Sequence, residues 1–297
     1  MKVVVTGASG LIGAALVPNL RADGHDVIRL VRRPPRAGDE EQWDPAAHQL
    51  DPSIVSGADV VVHLAGLGVG DKRWTEDYKR EVRNSRVDGT TTIATATEAA
   101  DKPPKALLMA SAVGFYGDTG DDAVDESADS GNGFLAEVVR DWEAASTAAS
   151  NAGVRVVQMR TGVVLAAKGG ALGKVLPLFR LGLGGRLGSG MQWMSWIAMP
   201  DYLMALRFLL ERDDIAGPVN VTSPEPVRNR EYTKAIARAV HRPALAIVPA
   251  TALRAALGGF ADEGVLVSQR VVPARLENAG FTFAFGDIDS ALTAIIC

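Results

Sequence analysis

The sequence predicts an α/β protein with a doubly wound parallel sheet of the Rossmann type, and three observations carry that prediction. Short apolar runs alternate with longer helical patterns through the first half of the chain. A glycine-spaced turn separates the first run from the first helical pattern. Each candidate strand is a near-continuous apolar run rather than an alternating one, as expected when helices cover both faces of a parallel sheet.

The elements follow in order. Candidate strands lie at residues 3–6, 26–31, 60–63, 106–111 and 154–160, with helices at 11–23, 76–100 and 133–151 between them. That strand–helix alternation predicts crossover units and a parallel sheet. Residues 32–49 are polar and contain prolines, and are expected to form a loop. After Leu165 the pattern loosens into a glycine-rich stretch with a short helix at 172–180. A strand at 193–198, a helix at 201–211, a strand at 219–222 and a helix at 229–241 follow. The expected division is a Rossmann domain over 1–165 and a smaller C-terminal α/β lobe over 166–297, with some of its segments returning to the sheet.

Composition narrows the functional classes. The 297 residues are 47% hydrophobic and 22% charged, a balance that suits one large or two joined globular domains. A net charge of −4 gives no electrostatic case for nucleic acid or an anionic membrane as partner. The single cysteine, Cys297, leaves no internal disulfide and fits a reducing compartment. The chain runs straight into a strand with no apolar leader, so a cytoplasmic location is expected. The histidines (His25, His48, His63 and His241) are scattered, and no metal site is expected.

The turn reads TGASGLIG, residues 6–13. Gly7 permits the sharp exit from the strand, Gly10 lets backbone approach a pyrophosphate, and Gly13 lets the helix pack closely. The helix start then presents free N–H groups and a positive dipole end to phosphate. Gly7, Ser9, Gly10, Leu11, Ile12 and Gly13 are therefore candidate cofactor residues. The second strand reads VIRLVRR, with Val31 where an NAD-preferring protein places a carboxylate, followed by Arg32 and Arg33. Two guanidinium groups there suit a 2′-phosphate, so NADP(H) is expected in preference to NAD(H). The alternative is a pair of solvated loop arginines.

With TGASGLIG, VVHLAG (residues 61–66) and ASAVGFYGD (110–118), the chain resembles the extended short-chain dehydrogenase/reductase superfamily. KRWTEDYKREVRNSRVDGT (72–90), GFLAEVVRDWEAA (133–145), RTGVVL (160–165) and GGRLGSGMQWMSWI (184–197) narrow the resemblance to its atypical, nucleoside-diphosphate-sugar epimerase-like branch. The resemblance implies NADP(H) bound at the sheet, with Leu64, Ala65, Gly66 and Ser111 also near the cofactor. It implies a C-terminal region shaped for a small-molecule substrate such as a nucleotide sugar, and a homodimer through 76–100 and 133–151.

The superfamily's proton chemistry uses a tyrosine with a lysine four residues later on one helix. Here one register places Phe134 and Val138 at those positions, and the other Leu135 and Val139. Neither supplies a phenol or an ammonium. The usual Ser/Thr partner falls on Ala112, with Ser111 one residue earlier. Replacement proton-transfer candidates are Glu137, on the same helical face as Phe134, together with Tyr116 and Ser111. Arg73, Trp74, Arg86, Arg186, Gln192 and Trp193 are weighed as ligand contacts against surface or packing roles. Two functions follow as expectations. One is an NADP(H)-dependent epimerase/dehydratase-like oxidoreductase with a nonstandard acid–base group. The other is a non-catalytic NADP(H)-binding sensor.

Overall fold

The computed structural model describes residues 1–296; Cys297 lies outside the described residues. The first half builds β1 (Lys2–Thr6), α1 (Leu11–Ala22), β2 (Asp26–Val31), β3 (Glu40–Gln42), α2 (Pro52–Val55), β4 (Val60–His63), α3 (Glu76–Glu98) and β5 (Ala106–Ala112). After a 3₁₀ turn at Val113–Tyr116 come α4 (Phe134–Ala144), α5 (Thr147–Asn151), β6 (Arg155–Thr161), β7 (Val163–Leu165), α6 (Gly170–Arg180), β8 (Gly185–Leu187), β9 (Trp193–Met194), β10 (Trp196–Ala198) and α7 (Met199–Glu211). The remainder holds β11 (Gly217–Val221), β12 (Val227–Arg228), α8 (Asn229–Ala239), β13 (Ala246–Val248), α9 (Ala250–Leu257), a π turn at Ala261–Val265, α10 (Ala274–Asn278) and α11 (Ile288–Ile296).

Seven strands form one parallel sheet in the order β11-β6-β5-β4-β1-β2-β3. The apolar runs serve both of its faces. Val3, Val5, Val60, Val62, Leu108, Val157 and Met159 join the cluster beneath α1 and α7. Their alternating neighbours Val4, Val61, Leu107, Met109 and Val156 join the cluster beneath α2, α3 and α4. This two-faced burial is why the strands read as continuous apolar runs. Chain direction reverses between β1 and β4, which are adjacent but connect outward to opposite edges. Ligands of doubly wound sheets bind at the carboxyl ends of strands flanking such a switch.

Three departures from the sequence expectations, and one return of the chain that they anticipate, have physical causes. Part of the expected loop at 32–49 is β3, a charged edge strand whose neighbouring Asp39 and Glu40 pair with Arg29 of β2. The helix expected over 133–151 breaks at Ala145–Ser146, where the Ser146 and Thr147 hydroxyls donate to the carbonyls of Glu143 and Ala144. The strand expected at 193–198 divides at Ser195: β9 pairs with β12, and β10 pairs with β7. Ser195 is buried, and its hydroxyl accepts from the Val271 amide at 2.8 Å, fixing the division. Finally, β11 joins the main sheet beside β6, so chain beyond residue 165 does return to it.

The rest of the C-terminal chain packs a separate core from Leu165, Leu172, Leu176, Trp196, Tyr232, Ile236 and Leu292. Buried Asp201 anchors it, accepting from the amides of Ala284 at 2.8 Å and Phe285 at 3.0 Å. Among the described residues, no helix is long and apolar enough to cross a membrane.

Candidate active site

The β1–α1 turn lies at the switch point, and its glycines are required by backbone rather than side-chain neighbours. Gly7 has φ +67°, and a Cβ on it would stand 2.7 Å from the Leu64 carbonyl carbon. A Cβ on Gly13 would stand 2.2 Å from the Gly7 carbonyl oxygen and 2.7 Å from Ala8 Cα. Gly10 caps α1 without a side chain, and its own amide donates to the Gly7 carbonyl at 2.9 Å. The first turn of α1 carries no acidic residue. Ser9 and Gly10 are exposed, and Leu11 and Ile12 are half-buried. This cradle, shaped by the absence of Cβ atoms and lined by uncapped amides, fits a dinucleotide pyrophosphate.

Thr6 ties the turn to β4. Its hydroxyl accepts from the amides of Leu64 at 3.0 Å and Ala65 at 3.1 Å, leaving its proton for His63 Nδ1 at 2.8 Å. Burial pushes the His63 imidazole down to about 4, so the ring is neutral at physiological pH. Leu64, Ala65 and Gly66 thus run directly beside the phosphate turn.

The two arginines after β2 differ. Arg33 makes a bidentate pair with Glu40, both bonds 2.8 Å, which holds the Glu40 carboxyl well below the usual range. Arg32 is exposed, and no hydrogen bond or ion pair engages it among the described residues. Of the two, Arg32 is therefore the guanidinium without a protein partner among the described residues.

The two registers read on α4 face different neighbours. Leu135 and Val139 both face the turn after β5: a Cβ on Gly114 would lie 3.5 Å from Leu135 Cβ and 3.9 Å from a Val139 methyl. Phe134 instead packs edge-on against Trp74, 5.1 Å between centroids.

The replacement candidates are placed as follows. Glu137 is exposed on α4, three residues after Phe134, which packs against Trp74. Ser111 and Tyr116 are buried and committed to each other's neighbours. The Ser111 hydroxyl donates to Glu143 at 2.6 Å, and Arg160 donates twice to the same carboxylate, each at 2.8 Å. Arg160 also donates to the Tyr116 hydroxyl at 3.0 Å, and that hydroxyl donates to Asn220 at 2.7 Å. Burial pushes the Tyr116 phenol up against the opposing influence of Arg160. This cluster joins β5, α4, β6 and β11 as a scaffold beneath the site.

Several weighed contacts turn out to be packing. Trp74 is buried, and its indole N–H donates to the Val69 carbonyl. Gln192 donates to the carbonyls of Leu187 and Val265. Trp193 lies beneath the guanidinium groups of Arg228 and Arg270, at 4.6 and 4.5 Å, with its N–H on Asp121. Arg186 lines a groove of about 620 Å³ with Arg230, Lys234 and Leu245, none of them near the phosphate turn.

Sequence reasoning missed Glu263. This half-buried residue of the π turn accepts from the Leu135 amide at 2.8 Å, so a carboxylate sits on the first turn of α4. It lies 128 residues from Leu135 in the chain, beyond the reach of any local pattern. Arg86, weighed from sequence as a ligand contact against a helix-surface role, is half-buried beside Gly66 and Trp142. Burial lowers its pKa to about 10. Among the described residues no cluster of His, Cys, Asp or Glu could hold a metal ion.

Comparison with known proteins adds the following. Residues 3–222 match the NAD-dependent epimerase/dehydratase family, and residues 248–295 match a domain of unknown function, DUF1731. An epimerase family protein of Mycobacterium tuberculosis is 47% identical over 290 residues, covering 98% of this chain and 96% of the relative. The crystal structure of human epimerase family protein SDR39U1 (isoform 2) with NADPH superposes with a TM-score of 0.91 at 34% identity, covering 100% of this chain and 99% of that one. MoeE5 in complex with UDP-glucuronic acid and NAD shares the fold, with a TM-score of 0.78 at 22% identity, covering 100% of this chain and 98% of that one.

Proposed function

Because the chain belongs to the NAD-dependent epimerase/dehydratase family, we propose that it binds NADP(H) and acts as an epimerase/dehydratase-like oxidoreductase on a nucleotide sugar or small carbonyl compound. The observation that carries the cofactor is the glycine cradle at the switch point with Arg32 open beside it. The human relative's structure with NADPH supports the phosphorylated dinucleotide, and the UDP-sugar and NAD complex of a more distant neighbour supports the substrate class.

When bound, the nicotinamide supplies hydride chemistry. This chain must position the ring and move a proton without the usual dyad. Leu135 and Val139 give that position an apolar wall. Glu263 meets α4 at the Leu135 amide, one of the two positions aligned with the family's phenol, and we assign proton transfer to it in place of Glu137. A second reading, a sensor that holds NADP(H) without turnover, is favoured by one observation: Ser111 and Tyr116 are locked in the buried cluster rather than open to a substrate.

One set of titrations tests both levels. NADPH should bind more tightly than NADH. Arg32→Ala should weaken NADPH alone, by about 1.5–3 kcal/mol for a charge-assisted contact, or roughly 10–150-fold. Equal losses for both cofactors would remove Arg32 from the 2′-phosphate site. Consumption of NADPH across a panel of carbonyl compounds, lost in Glu263→Gln, supports the enzyme. Tight binding with no consumption supports the sensor.

A further inference from the structure

The C-terminal lobe carries an unpaired strand edge. β13 bonds β8 through alternate residues: the Ala246 amide donates to the Gly184 carbonyl at 3.3 Å, and the Val248 carbonyl accepts from the Gly188 amide at 2.9 Å. The intervening residues of such a ladder turn their N–H and carbonyl groups to the other side. Leu245 and Ile247 therefore present theirs outward, where β13 has no further strand neighbour among the described residues. Their side chains are 87% and 55% exposed. Exposed Leu181 and Leu183 lie alongside, because a Cβ on Gly182 between them would stand 3.9 Å from Pro243. Clustered exposed apolar side chains of this kind mark an interaction surface.

The groove beside this edge is basic. It has a volume of about 620 Å³ and is lined by Arg186, Arg230, Glu231, Lys234, Leu245 and Ile247. Glu231 pairs with Arg230 at 2.6 Å. Arg186 and Lys234 have no ion pair among the described residues, and Arg186 Nε is buried without a hydrogen-bond partner. The groove thus keeps two uncompensated cations in a chain whose net charge is −4.

These features select the occupant. Pro243 and Pro249 flank β13 and donate no N–H, so the edge accepts only a short extended segment. The two cations call for carboxylates on that segment, and Leu245 and Ile247 call for apolar side chains at alternate positions. A second copy of this chain paired on the same edge would bring Arg186 and Lys234 against their like-charged counterparts.

We propose that the β13 edge and its groove dock a short, acidic, extended segment of a protein partner. The segment adds a strand beside Leu245 and Ile247 and sets its carboxylates on Arg186 and Lys234. None of these residues belongs to the phosphate cradle, so the inference stands apart from the NADP(H) reading.

The test pans the full chain against a displayed library of random heptapeptides, then titrates the recovered peptides by fluorescence anisotropy. Recovered sequences should alternate Asp or Glu with Val, Ile or Leu. Lys234→Glu should weaken the best peptide by about 10-fold or more, since it sets like charges together. Leu245→Asp should do the same from a position too exposed to disturb the fold, and both variants should keep the wild-type affinity for NADPH. N-methylation of one alternate set of peptide amides should abolish binding, whereas methylation of the other set should spare it. The proposal is overturned if no acidic sequence is enriched, if both variants bind the peptide as the wild type does, or if the two methylated peptides behave alike. It is also overturned if Leu245→Asp converts a dimer of the wild type to a monomer, which gives the edge to a second copy. Sedimentation of the wild type with phosphatidylcholine–phosphatidylserine vesicles, lost in Leu245→Asp, would give it to a lipid surface instead.

Discussion

Arg160→Leu is expected to destabilise the protein by about 3–5 kcal/mol, the usual consequence of removing one partner from a buried ion pair. The Arg160 and Glu143 side chains are 5% and 13% exposed, so solvent cannot take over the lost contacts. The substitution leaves the Glu143 carboxylate with only the Ser111 hydroxyl, and it removes one of the two partners of Tyr116. A melting temperature lower by roughly 5–12 °C is the expected reading for a chain of this size. Replacing Glu143 with leucine in the same protein should recover part of that loss, since two matched apolar groups cost less than one stranded charge. An unchanged melting temperature in Arg160→Leu would show that the cluster is not the scaffold described here.

The second large effect concerns the phosphate cradle. Gly13→Ala adds one carbon, but that carbon would lie 2.2 Å from the Gly7 carbonyl oxygen. Both the clashing atom and Ala8 Cα behind it are backbone, so no side chain can turn aside. The turn or α1 must shift, and overpacking of this kind costs about 1–3 kcal/mol or more. Because the displaced atoms are the ones facing the pyrophosphate, NADPH affinity should fall by about 100-fold or more. Gly10→Ala separates sterics from ligand approach. Its Cβ would stand 3.2 Å from the Gly7 oxygen, so stability should change little while NADPH binding still weakens. If Gly13→Ala bound NADPH as well as the wild type, the cradle would have no part in cofactor binding.

What the sequence made legible was mostly local. The glycine spacing, the apolar strands and the arginines after β2 depend on neighbours a few residues apart, and the structure puts all of them at the switch point. Legibility failed where side-chain direction or long-range pairing decides. The i, i+3 spacing puts Phe134 and Glu137 on one side of α4, but it does not show that Phe134 packs against Trp74 while Glu137 is exposed. Nothing local separates Arg32 from Arg33; Glu40, folded into an edge strand that reads as a loop, claims the second. Glu263 and Arg86 gain their places through contacts across α4 with the π turn and with the loop after β4.

A crystal structure of the protein grown with NADPH tests the central claim most directly. The pyrophosphate is expected over the amides at the start of α1, between Gly10 and Gly13, with the 2′-phosphate against Arg32. Density for NADPH elsewhere, or a β1–α1 turn left empty at saturating cofactor, would contradict the account.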